Sequence, residues 1–344
     1  MAIANTDITF RKSATVNDTA SNGGVMGFAS ALITNNVAEN VWPHIPEAER
    51  LAGSTKYRKV FVRIAPATTT KASTVRLFLE KHTPGDDRIL LAWAGNLLSS
   101  QTDTQDEASG YTRFYGGADL NANAAAGSTS ISVTVENAAD HIFQNGDLIR
   151  ISNKTSFNVA IGAEEFVRLA SSNAVIWNGN TATLTLAPGT TLANAYTVTE
   201  GTRVQSVIEV GEVEPVVDSF VNNGSGTFDS LNYPITGTSK GSVEDTWTLT
   251  FEGPGAYTVT GTRVGEVGSG TVASRFAPMN GNAGAPFFII ESLAWTTLSW
   301  TPGDTIIFTT HPSAIGVWEK RIVPAGASAI AANSAILVCT LQSA

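Results

Sequence analysis

Charge is what this chain has least of. Only 15% of its 344 residues are Asp, Glu, Lys or Arg, against about 25% in an ordinary soluble domain. A surface so poor in charge must be covered by hydroxyls, amides and other protein, which points to a subunit of an assembly rather than a free monomer. The charge that is present has the wrong sign for a phosphate backbone: 21 basic and 30 acidic residues give −9, whereas Lys and Arg supply most non-specific affinity for nucleic acid. Specific nucleic-acid binding is not expected. A single cysteine, Cys339, excludes an intramolecular disulfide framework. Set in the apolar stretch 335–341, it reads as a small buried hydrophobe. The four histidines, His44, His82, His141 and His311, are scattered singly, without the short spacings of a metal site. No run approaches the eighteen apolar residues of a membrane helix, and the first ten residues lack the basic and apolar regions of a signal peptide. The expectation is a protein made in a cytoplasm, with no membrane insertion.

What is present is alternation. In 243–251, Val243, Asp245, Trp247, Leu249 and Phe251 share one face, with Glu244 and three threonines on the other. This is the period of two expected of a half-buried strand. Pro254-Gly255 turns the chain, and 256–261 returns as the second strand of a hairpin. The segments 57–64, 73–80, 89–93, 131–135, 148–151, 165–169, 182–186, 196–198, 204–210, 287–290, 298–300 and 305–309 repeat the pattern. One short helix is expected at 46–53, with Pro46 in its first turn, Glu47 and Glu49 at its positive end and Gly53 closing it. The expected class is all-β, with two or three sandwich or barrel domains: 1–120 with an N-terminal arm, 121–210, and 211–344. The Ser-, Asn- and Ala-rich stretch at about 95–128 sets the first boundary.

The last strand of interest is Trp318-Glu319-Lys320-Arg321-Ile322-Val323, ended by Pro324, which has no amide proton for a ladder. It reads as a structural fitting. Residues 56–63, with Lys56, Arg58, Lys59 and Arg63 interleaved among apolar residues, read as a strand with one solvated face. A turn echo joins Phe143-Gln-Asn-Gly146-Asp147 to Trp300-Thr-Pro-Gly303-Asp304, each a tight turn delivering a strand.

Motifs with chemistry are few. Gly237-Thr-Ser239-Lys-Gly241 spells a nucleophile elbow, but a strand follows it where a helix is needed, so it reads as a turn. Asp103, Asp106 and Glu107, and Glu209, Glu212, Glu214 and Asp218, form acidic stretches without the register of a calcium loop, and read as solvated loops. No catalytic, cofactor-binding or metal residue is nominated. An enzyme is not expected, nor a cofactor.

The segments Ile8-Thr-Phe-Arg11, Ser21-Asn-Gly-Gly24, Asn40-Val-Trp42-Pro43, Glu47-Ala-Glu-Arg50, Tyr57-Arg58-Lys59-Val-Phe61 and Trp318-Glu-Lys-Arg321-Ile-Val-Pro324 resemble virion structural proteins of tailed bacteriophages. The resemblance covers the first eighty and last forty residues. It implies a non-enzymatic virion subunit, a tail protein of the tube, baseplate or tip, that forms a ring with copies of itself and contacts other virion proteins. DNA would pass through the lumen of such a ring, whose negative charge would keep it from sticking. Residues 1–40 and the tail after Pro324 are the candidates for holding neighbours by strand addition. The alternatives are a capsid decoration protein and a glycan-binding fibre or receptor-binding module. The latter would need carboxylates paired across a cleft or an exposed aromatic platform, and the sequence displays neither.

Overall fold

The computed structural model describes residues 2–28, 31–67, 70–105, 113–297 and 299–343. They form an all-β protein with two short helices, α1 (Glu47–Ala52) and α2 (Gln101–Gln105). Helix α1 sits where Pro46 and Gly53 place it: Pro46 is the N-cap, and Gly53, at φ 76°, returns its N–H to the Glu49 carbonyl.

The first sheet runs in the order β2 (Gly23–Met26), β1 (Ile8–Thr15), β3 (Ser54–Ile64), β23 (Ala314–Val323), β5 (Arg88–Ala94). Strand β23 comes from the far end of the chain and lies between β3 and β5. It is in register with β3 from Ala314 opposite Arg63 to Val323 opposite Ser54, and with β5 from Gly316 opposite Ala94 to Ile322 opposite Arg88. Buried on both faces, β23 has an almost continuous run of buried residues. A second sheet, β13 (Ile208–Val213), β4 (Ala72–Lys81), β24 (Ile336–Ser343), packs on the first through Val62, Ile64, Leu77, Leu91, Ile315 and Val317. Half-buried Cys339 lies on β24, its thiol pushed up to about 12 by burial.

The middle of the chain forms a seven-stranded sheet in the order β10 (Val175–Asn178), β11 (Thr181–Thr185), β7 (Ser130–Thr134), β6 (Gly117–Leu120), β12 (Arg203–Ser206), β8 (Leu148–Ser152), β9 (Glu164–Arg168). A bridge between Leu169 and Leu186 brings the end of β9 back to the end of β11. The sheet thus curls toward a barrel around Ile131, Val133, Ile149, Ile151, Leu184 and Val204. The remaining large sheet is β14 (Val216–Asn222), β22 (Thr305–His311), β16 (Asp245–Phe251), β17 (Ala256–Gly261), β18 (Gly265–Thr271), and its first hairpin is the one expected at 243–261. Two small ladders, β15 (Thr236–Gly237) with β21 (Phe288–Ile289) and β19 (Met279–Asn280) with β20 (Ala285–Pro286), accompany it. Its core is aromatic, with Phe251 and Trp300 stacked at 4.0 Å.

Some expected strands are replaced by core-filling loops. The stretch 287–290 contributes only the two-residue β21 and a bridge from Ile290 to Phe276, and 196–198 only the bridge from Tyr196 to Ala124. Of 298–300, Leu298 lies outside the described residues. Ser299 and Trp300 belong to no strand, because Trp300 lies flat on Phe251 and against Gly226, where a Cβ would meet the indole. The pairing also crosses the boundary expected at 210/211. Residues 314–323 and 336–343 pair with β3, β4 and β5, and 208–213 pair with β4, because long-range ladders, not sequence proximity, complete the first sandwich.

Candidate functional site

The basic cluster around Lys56–Arg63 is not a solvated face. Arg58 and Lys59 are both buried, as are Glu319 and Arg321 on the neighbouring strand. On one face of β3 and β23, the Arg58 and Arg321 guanidiniums lie on the Trp42 ring at 4.9 and 4.6 Å. The Trp42 indole N–H donates to the Glu319 carboxylate at 2.7 Å. Arg58 pairs with Asp18 at 2.7 Å, and Arg321 reaches the Pro43 carbonyl at 2.9 Å. On the other face the Lys59 ammonium donates to the carbonyls of Leu97 and Ser99 and to the Ser99 hydroxyl, at 2.9, 3.0 and 2.9 Å. Lys59 stands over Trp318, 5.7 Å from its ring centroid. Burial pushes Lys59 down to about 7. Gly23 must be glycine here, since a Cβ would sit 2.6 Å from the Trp318 ring and its φ is 105°. These buried charges are held because most of their donors find acceptors, the Arg58 and Arg321 Nε–H groups being the exceptions, and a period-two reading cannot show this because it assigns charge to solvent.

Glu319 sets a pH dependence. Burial pushes its carboxyl up to about 7, against the opposing pull of the Trp42 hydrogen bond and the Arg58 charge. A folded-state value above the ordinary 4.5 means that the folded state holds the proton longer than the unfolded one. Stability from this group is therefore full below pH 4.5 and declines as pH rises towards 7. Glu319→Gln keeps an oxygen for Trp42 and should flatten that decline, read as thermal midpoints between pH 4.5 and 7. Equal slopes for the two proteins would contradict the assignment.

A cleft of about 510 Å³ opens where the chain passes twice between the first sandwich and the aromatic body, at Glu214–Val216 and at His311–Ala314. Its wall carries Trp93, at the end of β5 and 45% exposed among buried neighbours. Glu212 and Glu214, Val216 of β14, and Glu244 with His311 also line it. His311 Nδ1 is 2.9 Å from Glu244 and its Nε2 3.1 Å from Asp218. The Glu244 hydrogen bond, reinforced by Asp218, holds the imidazole above its usual value. Lys71 pairs with Glu214 at 2.7 Å and feels Glu212 at longer range. This acidic stretch is solvated but is mostly not a loop: Glu209 and Glu212 lie on β13 and Asp218 on β14, all three exposed, with Glu214 between the strands, and Glu209 is also held by Arg168 at 2.7 Å.

The other candidates stay apart from the cleft. Ser239 lies in a turn in which the Thr238 hydroxyl accepts from Gly241 N–H and donates to the Pro286 carbonyl, and the next strand is β16. His44 pairs with Glu39 at the surface, His82 lies 4.0 Å from Asp119, and His141 stands edge-on to Trp177. Asp103 accepts from the Ser100 N–H at 2.6 Å, whereas Asp106 and Glu107 lie outside the described residues. Among the described residues no group of three His, Cys, Asp or Glu side chains is placed to hold a metal ion, and no helix is long and apolar enough to cross a membrane. The turn echo recurs in space. Asp147 accepts from Gln144 N–H and Asp304 from Thr301 N–H, at 2.7 and 2.9 Å, with Gly146 at φ 79° and Gly303 at φ 93°. Comparison of the chain with protein-family models, curated proteins and solved structures finds no match.

Proposed function

We propose that this chain is a non-enzymatic structural subunit of a tailed-bacteriophage virion, a tail protein of the tube or baseplate that assembles into rings through its sheet edges. The observation that carries this reading is β14. It is a seven-residue strand at the edge of its sheet, mostly exposed, with Val216 and Val221 43% and 46% exposed. Such an edge presents unpaired backbone groups to a neighbouring strand. Strands β18 and β24 are edges as well. The terminal segments expected to act as arms are paired inside the chain, β1 with β3 and β24 with β4, so the lateral contacts are assigned to the outer edges. The low charge supports a subunit covered by neighbours. Three of the segments that resemble virion proteins meet at Trp42, whose ring is contacted by Arg58 and Arg321 and whose indole N–H donates to Glu319.

Antibodies raised against the chain should label the tail of particles that carry it, seen by immunoelectron microscopy. Labelling confined to the head would move the assignment to a decoration protein, and particles without label would overturn the virion reading.

A further inference from the structure

We infer that the Trp93 cleft is a docking site for an extended, arginine- or lysine-bearing segment of another protein. The inference does not depend on the virion reading. The cavity of about 510 Å³ is large enough for two or three side chains, and it lies between two bodies, where binding sites concentrate. Its chemistry selects a cation. Four carboxylates, Glu212, Glu214, Glu244 and Asp218, stand in or beside it; among the described residues Lys71 pairs with Glu214, the His311 imidazole bridges Glu244 and Asp218, and Lys59 acts on Glu244 at longer range, so the carboxylates outnumber the cations. The half-exposed Trp93 indole supplies an aromatic face on which a guanidinium or ammonium is attracted by the ring quadrupole. The chain as a whole, at −9, gives the same sign of field at longer range.

The backbone geometry suits an extended occupant. Strands β13 and β14 are both sheet edges, and each lends residues to the cleft, Glu212 from one and Val216 from the other. A segment lying along either edge would present alternate side chains to the cavity. A neutral saccharide would use the indole face but would leave the excess of carboxylate charge unanswered.

The test uses the full chain labelled with 5-fluorotryptophan, with Trp93→Phe identifying the Trp93 fluorine resonance. The probe is a blocked pentapeptide alternating arginine and threonine. The expected result is a saturable shift of the Trp93 resonance alone. Glu212→Lys, at an exposed position, should weaken binding about tenfold or more while the remaining tryptophan resonances keep their positions. The inference is overturned if the peptide leaves Trp93 unmoved, or if Glu212→Lys binds as tightly as the parent chain. It is also overturned if a neutral β-1,4-linked glucose hexasaccharide shifts Trp93 where the peptide does not, which would make the cleft a glycan site.

Discussion

A chain ending at residue 312 should lose the first sheet while keeping the aromatic body. Truncation there removes β23, which supplies ten in-register partners to β3 and seven to β5, and β24, the partner of β4 from Lys81 to Ala72. Strands β3 and β5 do not pair with each other, so each would be left with an open edge inside what had been a buried layer. Val62, Leu77 and Leu91 would lose the Ile315 and Val317 side of their core. The hydrophobic term lost is of the same order as the whole stability of a domain. Strands β16, β17 and β22 keep their ladder partners in such a chain. The expected outcome, read by amide hydrogen exchange, is a loss of protection in β3 and β5 by about a thousandfold or more, with β16 and β17 still protected. Undiminished protection in β3 would contradict the topology.

The second large effect is expected from Trp318→Ala. Trp318 is fully buried and belongs to the core shared by the first sheet and the middle barrel. Its indole N–H donates to the Ser99 hydroxyl at 3.2 Å, the same oxygen that accepts from Lys59. Removing the ring deletes the surface against which Gly23 packs and over which the Lys59 ammonium stands, and the site cannot collapse because β23 is held on both sides. A truncation of this kind costs about 3–5 kcal/mol. Trp318→Phe should cost less, because it keeps most of the volume and loses the hydrogen bond. Urea midpoints at pH 7 measure both. A loss below about 1 kcal/mol for Trp318→Ala would show that Trp318 is not part of the shared core.

Many of the strands and helix α1 were legible in the sequence because they are local, whereas α2 and β6 fall in the stretch read as a linker. Alternation places Trp247, Leu249 and Phe251 on one face, and Pro46 and Gly53 bracket α1. The turn echo was legible for the same reason, since Gly and Asp act within four residues. The partner of each strand was not. Nothing in 314–323 says that it will lie between 54–64 and 88–94, because ladder pairing is set by which surfaces remain to be buried. Arg58 and Lys59 were misplaced by the same rule that placed the tryptophans, since an alternating charge looks solvated until its partners arrive from elsewhere in the chain. The cleft was invisible for a related reason. Trp93, Glu212, Glu244 and His311 come from four strands or their ends, and only the double crossing between bodies brings them together.

The central claim is that this chain is a ring-forming subunit, and the mass of the purified recombinant protein in solution, with negative-stain images of the same sample, tests it most directly. Rings or stacked tubes with a central hole are the predicted result. A stable monomer, or a compact trimer without a lumen, would contradict it.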